Sequence, residues 1–286
     1  MTTYHVSFPG FGVEFDISPV AFSVGSFTVY WYGIIIAVGF MLAVVYAMKN
    51  VKRFNIDDDK LLNCVIVGLI TAIIGARLYY VLFSWDSFKY DPIKILYIHQ
   101  GGLAVYGGLI GALIGGLTVA KIQKMKIPPL LDMAALGFLI GQGIGRWGNF
   151  TNQEAFGCQT DLPWRMMSEA TGNVGVHPCF LYESVWCLLG FFLLHFYSKR
   201  FKKYDGQIFL MYLVWYGFER TVVEGLRTDS LYLPFAQVRV SQLLSFLLFL
   251  TGLALLFVNW FRNRKKAAVS HTNDVKIGQN SPDSEE

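Results

Sequence analysis

Long apolar runs recur along this chain, and they restrict its fold more than any other feature of the sequence. A helix needs about 20 apolar residues to cross the hydrocarbon of a bilayer. The chain is 54% hydrophobic and only 15% charged over 286 residues, whereas soluble domains carry about 25% charged residues. We therefore predict an all-α polytopic membrane protein with seven transmembrane helices, at 28–48, 61–83, 101–120, 130–147, 178–198, 207–226 and 237–260.

Lysine and arginine are distributed unevenly over the segments between these runs. Fifteen of them lie in four alternate segments, namely 49–60, 121–126, 199–203 and 262–266. Only six lie in the other four segments, namely 1–27, 84–100, 146–177 and 226–239. Because cytoplasmic segments carry the excess of positive charge, we predict that the N-terminus is outside and the C-terminus is cytoplasmic.

The two ends of the chain differ in composition from the apolar region. Residues 1–27 contain no Lys or Arg, so they lack the charged start of a signal peptide, and we expect a small, ordered extracytoplasmic head. Residues 263–286 are polar and cannot bury enough apolar area to fold. We predict a single transmembrane domain at 1–262, with an outer-face loop at 146–177, followed by a disordered cytoplasmic tail at 263–286.

Arginine is concentrated toward the predicted outer face, where the topology does not require positive charge. Six of the ten arginines lie there, but only two of the fourteen lysines, Lys89 and Lys94. A guanidinium offers a planar fork of donors that matches phosphate, which indicates an anionic ligand. Alternatively, each arginine pairs with a carboxylate or a backbone carbonyl inside the bundle. These six are Arg77, Arg146, Arg165, Arg220, Arg227 and Arg239.

The densest polar motif is GRWGNFTNQEAFG at 145–157, directly after the fourth apolar run. We expect Arg146 to emerge at the membrane interface and to bind a phosphodiester, while Asn149 and Asn152 hydrogen-bond its oxygens or a substrate backbone. The alternative for Arg146 is an anchor whose charged end reaches the interface. Glu154 completes the polar set.

The sixth apolar run carries charges at helical spacing. Arg220, Glu224 and Arg227 recur at i, i+4 and i+7, so they share one face of a helix. Such charges normally face the bundle interior. Either they form a structural ion-pair ladder, or Arg220 and Glu224 hold Arg227 toward Arg146.

Other polar residues stand at the outer ends of apolar runs. His177 precedes a helix that carries Glu183. Arg77 is one candidate partner for that carboxylate, and the sequence leaves this contact open. Tyr32 and Tyr106 are interfacial residues or they line a cavity. Cys158 and Cys179 flank one outer loop and a disulfide between them is left open. No metal-ligand spacing, nucleotide loop or nucleic-acid module occurs.

Several of these motifs together resemble the prolipoprotein diacylglyceryl transferases. They are WYG at 31–33, GGLAVYGG at 101–108, the 145–157 segment, HPCFLYE at 177–183 and VEGLRTD at 223–229. The resemblance implies transfer of a diacylglyceryl group from phosphatidylglycerol to the lipobox cysteine of a preprolipoprotein, with release of glycerol phosphate. It implies a bacterial plasma membrane enzyme that works without a metal or cofactor and does not bind nucleic acid.

In this interpretation the catalytic residues are Arg146, Arg227, Tyr106, Glu154 and His177. Phosphatidylglycerol binds Arg146, Asn149, Asn152, Tyr32 and Gly157, while Glu183, Glu224 and Arg220 support them. The family often has His where this chain has Tyr106, and tyrosine is a poor base at neutral pH. Glu154, His177 and the more distant His99 are left as proton acceptors. The alternative function is a transporter or channel for an anionic lipid or metabolite.

Overall fold

Seven α-helices account for most of the computed structural model, which describes residues 3–25, 27–98, 101–233 and 237–279, with side chains described up to 262. The helices are α1 (Trp31–Asn50), α2 (Asp58–Phe83), α3 (Val105–Ile122), α4 (Ile127–Asn152), α5 (Cys179–Arg200), α6 (Gln207–Leu226) and α7 (Val240–Gln279). Each overlaps one predicted span. The expected tail at 263–286 falls on residues whose side chains, and from 280 onward also the backbone, lie outside the described residues.

Among the described residues, six helices are long and apolar enough to cross a membrane: α1, α2, α3, α4, α5 and α7. The helix α6 forms where it is expected but is not among these six. Its C-terminal half carries Glu219, Arg220 and Glu224, which lower its apolar character. The protein is thus a multi-pass, mostly helical membrane protein.

The chain divides into two compact units, one of which is Ala37–Gly141. Within it, α2 packs on α3 through glycine. A side chain on Gly111 would meet the backbone of Thr71, and one on Gly107 would meet Gly75 and Tyr79. Since only a residue without Cβ permits such an approach of two backbones, the repeated glycines of the sequence set the spacing of this helix pair.

Arg77 fixes the segment that follows α2 in the same unit. Its Nε donates to the carbonyl of Ile95 at 2.8 Å, and its Nη2 donates to Lys94 at 2.7 Å. Its Nη1 reaches the carbonyls of Gly101 and Gly102 at 2.8 and 3.0 Å. Backbone carbonyls of its own unit therefore take up the donors of the Arg77 guanidinium, for which the sequence left Glu183 as a candidate partner.

The second unit is Met1–Ile36 together with Gln142–Glu286, and it begins with strands. These are β1 (Tyr4–Phe8), β2 (Val13–Ile17), β3 (Val20–Val24), β4 (Phe27–Tyr30) and, much later, β5 (Met167–Ser168). β1 pairs with both β2 and β5 in an antiparallel sheet, while β3 pairs with β4. The all-α prediction is incomplete here, because β-branched and aromatic residues alternating with polar ones favour strands.

A small apolar core connects this sheet to the ends of α4 and α5. Val6, Phe150, Met166, Val176 and Phe180 are buried together. The rings of Phe150 and Phe180 stack with their centroids 4.4 Å apart. Because this core joins β1, the end of α4, the loop after it and the start of α5, it fixes the positions of the polar residues described next.

The helices α5, α6 and α7 also belong to this unit. Trp186 and Trp215 stack at 4.4 Å, and each indole N–H donates to the backbone carbonyl of the other residue at 3.0 Å. A side chain on Gly217 would lie 2.8 Å from the carbonyl oxygen of Ser245. Tight contacts therefore fix α6 against both of its neighbours.

Candidate functional site

Arg146 lies inside α4 and not after its end. The helix continues to Asn152, so the first seven residues of the predicted outer-face loop at 146–177 are helical. The helix passes through the polar residues of the motif. Arg146, Asn149 and Asn152 stand at i, i+3 and i+6, on one face of the helix. The Arg146 side chain is only 18% exposed.

Glu183, in the second turn of α5, is the shared partner of three arginines. Its side chain is 1% exposed, and its Oε2 lies 2.5 Å from Nη2 of Arg146 and 3.1 Å from Nη1 of Arg220. Its Oε1 lies 3.9 Å from Nη1 of Arg227. We call Arg146, Arg220, Arg227, Glu183 and Glu224 the arginine cluster.

Arg220 and Arg227 each have a second carboxylate partner. Arg220 pairs with Glu224 one turn further along α6. Arg227 uses its fork on Asp229, with Nε donating to Oδ1 at 2.9 Å and Nη2 to Oδ2 at 2.7 Å. Burial by itself raises the pKa of Asp229, but the hydrogen bonds and charge of Arg227 outweigh that effect, so this pKa lies below its usual range.

Both interpretations of the charges on α6 have a basis in this geometry. Arg220 and Glu224 do form an ion pair along the helix. Arg220 also pairs with Glu183, the carboxylate that faces Arg146 and Arg227. Removing one partner of a buried ion pair typically costs about 3–5 kcal/mol because the other charge stays buried. The cluster is therefore a single electrostatic unit.

Glu219 lies beside this cluster without joining it. Its side chain is buried, and neither carboxylate oxygen has a hydrogen-bond partner among the described residues. A buried polar group without a hydrogen-bond partner lowers the stability of the folded protein.

The amides of the 145–157 motif converge on Glu154. Asn149 donates from Nδ2 to Oε1 of Glu154 at 2.9 Å, and Asn152 does so at 3.4 Å. Asn149 also accepts from Arg146 at 3.4 Å. The turn that returns Glu154 to these amides requires left-handed backbone at Gln153 (φ 51°) and Ala155 (φ 59°). The motif thus forms a connected polar face that begins at Arg146.

Gly157 contacts the residues just before α5 and just after α6. Its N–H donates to the carbonyl of His177 at 2.9 Å, and it forms a bridge with Arg227. A Cβ at this position would lie 2.6 Å from Cβ of His177 and 3.0 Å from Sγ of Cys179. Only glycine fits without displacing these groups.

A chain of hydrogen bonds connects His177 to two aromatic side chains. Trp164 donates from Nε1 to Oη of Tyr182 at 2.7 Å, and that Oη lies 3.2 Å from Nδ1 of His177. Burial lowers the pKa of His177, so the ring is neutral at pH 7.

The remaining predicted site residues lie in different places. The ring of Tyr32 covers Gly148 of α4. Tyr106 is half-buried in the first turn of α3, in the Ala37–Gly141 unit. His99 lies outside the described residues. Cys158 and Cys179 are both free thiols, and Cys158 is exposed, so the structure does not form the disulfide that the sequence left open.

Three of the six arginines toward the predicted outer face donate to backbone carbonyls. Arg77 is held by four carbonyls, as described above. Arg165 donates to the carbonyls of Asp161 and Leu162 at 3.4 and 3.3 Å. Arg239 donates to the carbonyl of Glu224 and to Oη of Tyr232. Arg146, Arg220 and Arg227 instead pair with carboxylates, so all six arginines have the protein partners that the alternative interpretation requires.

Two residues of this site were not predicted from the sequence. Asp229 follows Arg227 within the VEGLRTD motif, and its position two residues after an arginine was the available signal. Tyr182 precedes Glu183 in the HPCFLYE motif, but nothing in its spacing indicates a contact with His177.

Comparison with known proteins identifies the family. Residues 19–258 match the family described as prolipoprotein diacylglyceryl transferase. A phosphatidylglycerol–prolipoprotein diacylglyceryl transferase of Finegoldia magna is 44% identical over 236 residues, covering 82% of this chain and 93% of that protein. Enzymes of the same name from Limosilactobacillus reuteri (40% identical, 88% and 94% covered) and Clostridioides difficile (41% identical, 79% and 89% covered) are also similar. The chain therefore belongs to the prolipoprotein diacylglyceryl transferase family.

Proposed function

We infer that this protein is a phosphatidylglycerol–prolipoprotein diacylglyceryl transferase of a bacterial membrane. The observation that carries this conclusion is the family match over residues 19–258, with relatives of that name about 40% identical along most of the chain. The comparisons give no support to the alternative of a transporter or channel. The reaction is the first step of lipoprotein maturation.

The chemistry requires a sulfur nucleophile and a phosphate leaving group. The thiolate of the lipobox cysteine attacks the glycerol carbon that bears the phosphate, so a C–S bond forms as the C–O bond breaks. The thiol proton is lost, and glycerol phosphate leaves. Because the nucleophile belongs to the protein substrate, the transferase needs no reactive cysteine of its own.

Arg146 and Arg227 bind the phosphate in this proposal. Guanidinium groups that are already in place stabilise the charge that develops on a leaving phosphate. Glu183 supports the assignment, because its carboxylate faces both arginines, at 2.5 and 3.9 Å. Arg220 also pairs with Glu183, and Glu224 pairs with Arg220. Asn149, Asn152, Tyr32 and Gly157 complete the phosphatidylglycerol site.

The thiol proton has two candidate acceptors, Glu154 and His177. Glu154 is close to the Arg146 face through its amide partners, Asn149 and Asn152. His177 is neutral at pH 7, as a base must be. Tyr106 serves as a hydrogen-bonding group, because an unperturbed phenol is a poor base at neutral pH. The positive field of the arginines also favours the thiolate.

The active site faces the extracytoplasmic side. With α6 as the sixth of seven spans, the two termini lie on opposite sides of the membrane. The excess of Lys and Arg in alternate segments supports a cytoplasmic C-terminus and an N-terminus outside. The helix α6 is 20 residues long, which is about 30 Å and sufficient to cross the hydrocarbon. Both substrates, the lipid and the lipobox signal peptide, then reach the site from the bilayer.

The proposed reaction is tested with purified protein in detergent or nanodiscs. Phosphatidylglycerol and a peptide with a lipobox cysteine should give a diacylglyceryl peptide and glycerol phosphate, detected by mass spectrometry. A peptide with serine in place of that cysteine is the control and should give no product. Movement of lipid without a thioether product would refute the enzyme and support the transporter.

A further inference from the structure

We propose that Asp229 occupies the anion site of Arg227 in the substrate-free protein and is exchanged for the phosphate of the incoming lipid. The proposal rests on the proposed function, which places phosphate on Arg227. It adds a residue that governs substrate affinity by competing with the substrate for one guanidinium.

The first reason is the geometry of the contact. Asp229 accepts two parallel hydrogen bonds from the guanidinium of Arg227. Nε donates to Oδ1 at 2.9 Å, and Nη2 donates to Oδ2 at 2.7 Å. A phosphate binds the same pair of donors in the same bidentate way. Carboxylate and phosphate therefore compete for these two nitrogens, and exchange replaces two hydrogen bonds with two others.

The second reason is accessibility. The side chain of Asp229 is 48% exposed, whereas that of Arg227 is 13% exposed and that of Glu183 is 1% exposed. Asp229 belongs to an exposed stretch that begins at Thr228. Arg227 thus faces a buried carboxylate on one side and an exposed carboxylate on the other, and the exposed one is the partner that can leave.

The third reason is that Arg227 does not depend on Asp229 for its position. The backbone of Arg227 forms a bridge with Gly157, and the adjacent carbonyl of Leu226 accepts from the N–H of Cys158 at 2.7 Å. Its Nη1 lies near Glu183. Release of Asp229 leaves these three constraints in place, so the fork stays directed toward the site.

The fourth reason is charge balance. The three arginines of the cluster face three carboxylates within ion-pair distance among the described residues: Glu183, Glu224 and Asp229. Adding a phosphodiester monoanion to this balanced set would leave an excess negative charge. Replacing Asp229 with the phosphate keeps the balance, which is the electrostatic condition for a buried charge to be stable.

The test compares D229N with D229E and with D205N in the full-length protein. Asp205 is the matched control, because it forms a similarly exposed pair with Lys202 at 2.9 Å. D229N should lower the KM for phosphatidylglycerol about two- to fivefold, the range expected for loss of a half-exposed ion pair. D229E, which keeps a carboxylate, should lower the KM less than D229N does, and D205N should keep the wild-type KM. An unchanged or raised KM in D229N, or a fall in kcat/KM, would show that Asp229 only supports Arg227.

A second measurement does not depend on turnover. Glycerol phosphate should raise the thermal unfolding midpoint of D229N more than that of the wild type. A ligand that binds only the folded state stabilises that state, and at a given concentration the stabilisation increases with its affinity. Equal shifts in the two proteins would overturn the exchange. Absence of thioether product from the wild type would instead refute the proposed function, so the two failures are distinguishable.

Discussion

At the scale of single residues, the site depends on how each charge is satisfied. Glu183 is buried and shared by Arg146, Arg220 and Arg227, whereas Arg77 donates to backbone carbonyls and lies over the ring of Phe88. Carbonyl and ring partners fix Arg77 as part of the fold. The other three guanidinium groups share one buried carboxylate, and this difference separates the two kinds of arginine.

Replacement of Arg146 tests its assignment to phosphate. We expect Arg146→Ala to lower kcat by about 10²–10³-fold, the usual cost of removing one preorganised donor to a developing charge. Arg146→Lys should recover part of this loss, since lysine keeps the charge but lacks the fork. Initial rates with phosphatidylglycerol measure both variants. Size-exclusion profiles in detergent show whether they fold, and turnover of a folded Arg146→Ala at the wild-type rate would exclude the assignment.

His177 should make the protein sensitive to mild acid. Burial lowers its pKa below 6.5, so the unfolded chain binds a proton near pH 6 more readily than the folded protein does. Stability from this group is complete above pH 6.5 and is lost as the pH falls. The thermal midpoint should therefore drop less between pH 7.5 and 5.5 in His177→Asn than in the wild type. Equal drops would mean that the ring is solvated like a free histidine.

At the scale of elements, glycine decides which helices touch. A side chain on Gly111 would meet the backbone of α2 at Thr71, whereas one on Gly108 would lie 3.6 Å from Cβ of Ala76, an ordinary contact. The two glycines are three residues apart on α3, yet only one of them is required by packing. The sequence shows that small residues repeat, but it does not show which of them face a backbone.

This difference gives a matched pair of substitutions. Gly111→Ala should destabilise the protein by about 1–3 kcal/mol, the usual cost of overpacking. Gly108→Ala should be neutral, or stabilising by up to about 1 kcal/mol, because alanine favours a helix over glycine. Thermal unfolding in detergent measures both. If Gly111→Ala were as stable as Gly108→Ala, the close approach of α2 and α3 would be wrong.

At the scale of the whole molecule, six apolar helices and a charged α6 describe a multi-pass protein. The side on which its loops lie was inferred from Lys and Arg. The four cysteines provide a way to measure that orientation, because Cys158 is exposed in the loop between α4 and α5, whereas Cys64, Cys179 and Cys187 are buried.

A membrane-impermeant maleimide should label the protein at Cys158 in intact cells or spheroplasts. The expected topology puts this thiol outside, so labelling should need no permeabilisation and should disappear in Cys158→Ser. Labelling that appears only after the membrane is opened would reverse the topology. Mass spectrometry of the labelled peptide identifies the site.

The sequence by itself determined the membrane class, the approximate position of every helix and the family, because apolar length and local motifs are properties of contiguous residues. It also gave Arg146, Arg227 and Glu183 as candidates. It did not predict the strands at 4–30, the continuation of α4 to Asn152, or the partners of Arg77 and Glu183.

Only the tertiary structure decided which carboxylate each arginine meets. Glu183 and Arg220 are 37 residues apart on different helices, and their contact depends on how each helix is rotated and packed. Such rotations follow from many weak contacts, among them the stacked Phe150 and Phe180. No local pattern encodes their sum, and for that reason the residue types were readable from the sequence while their pairing was not.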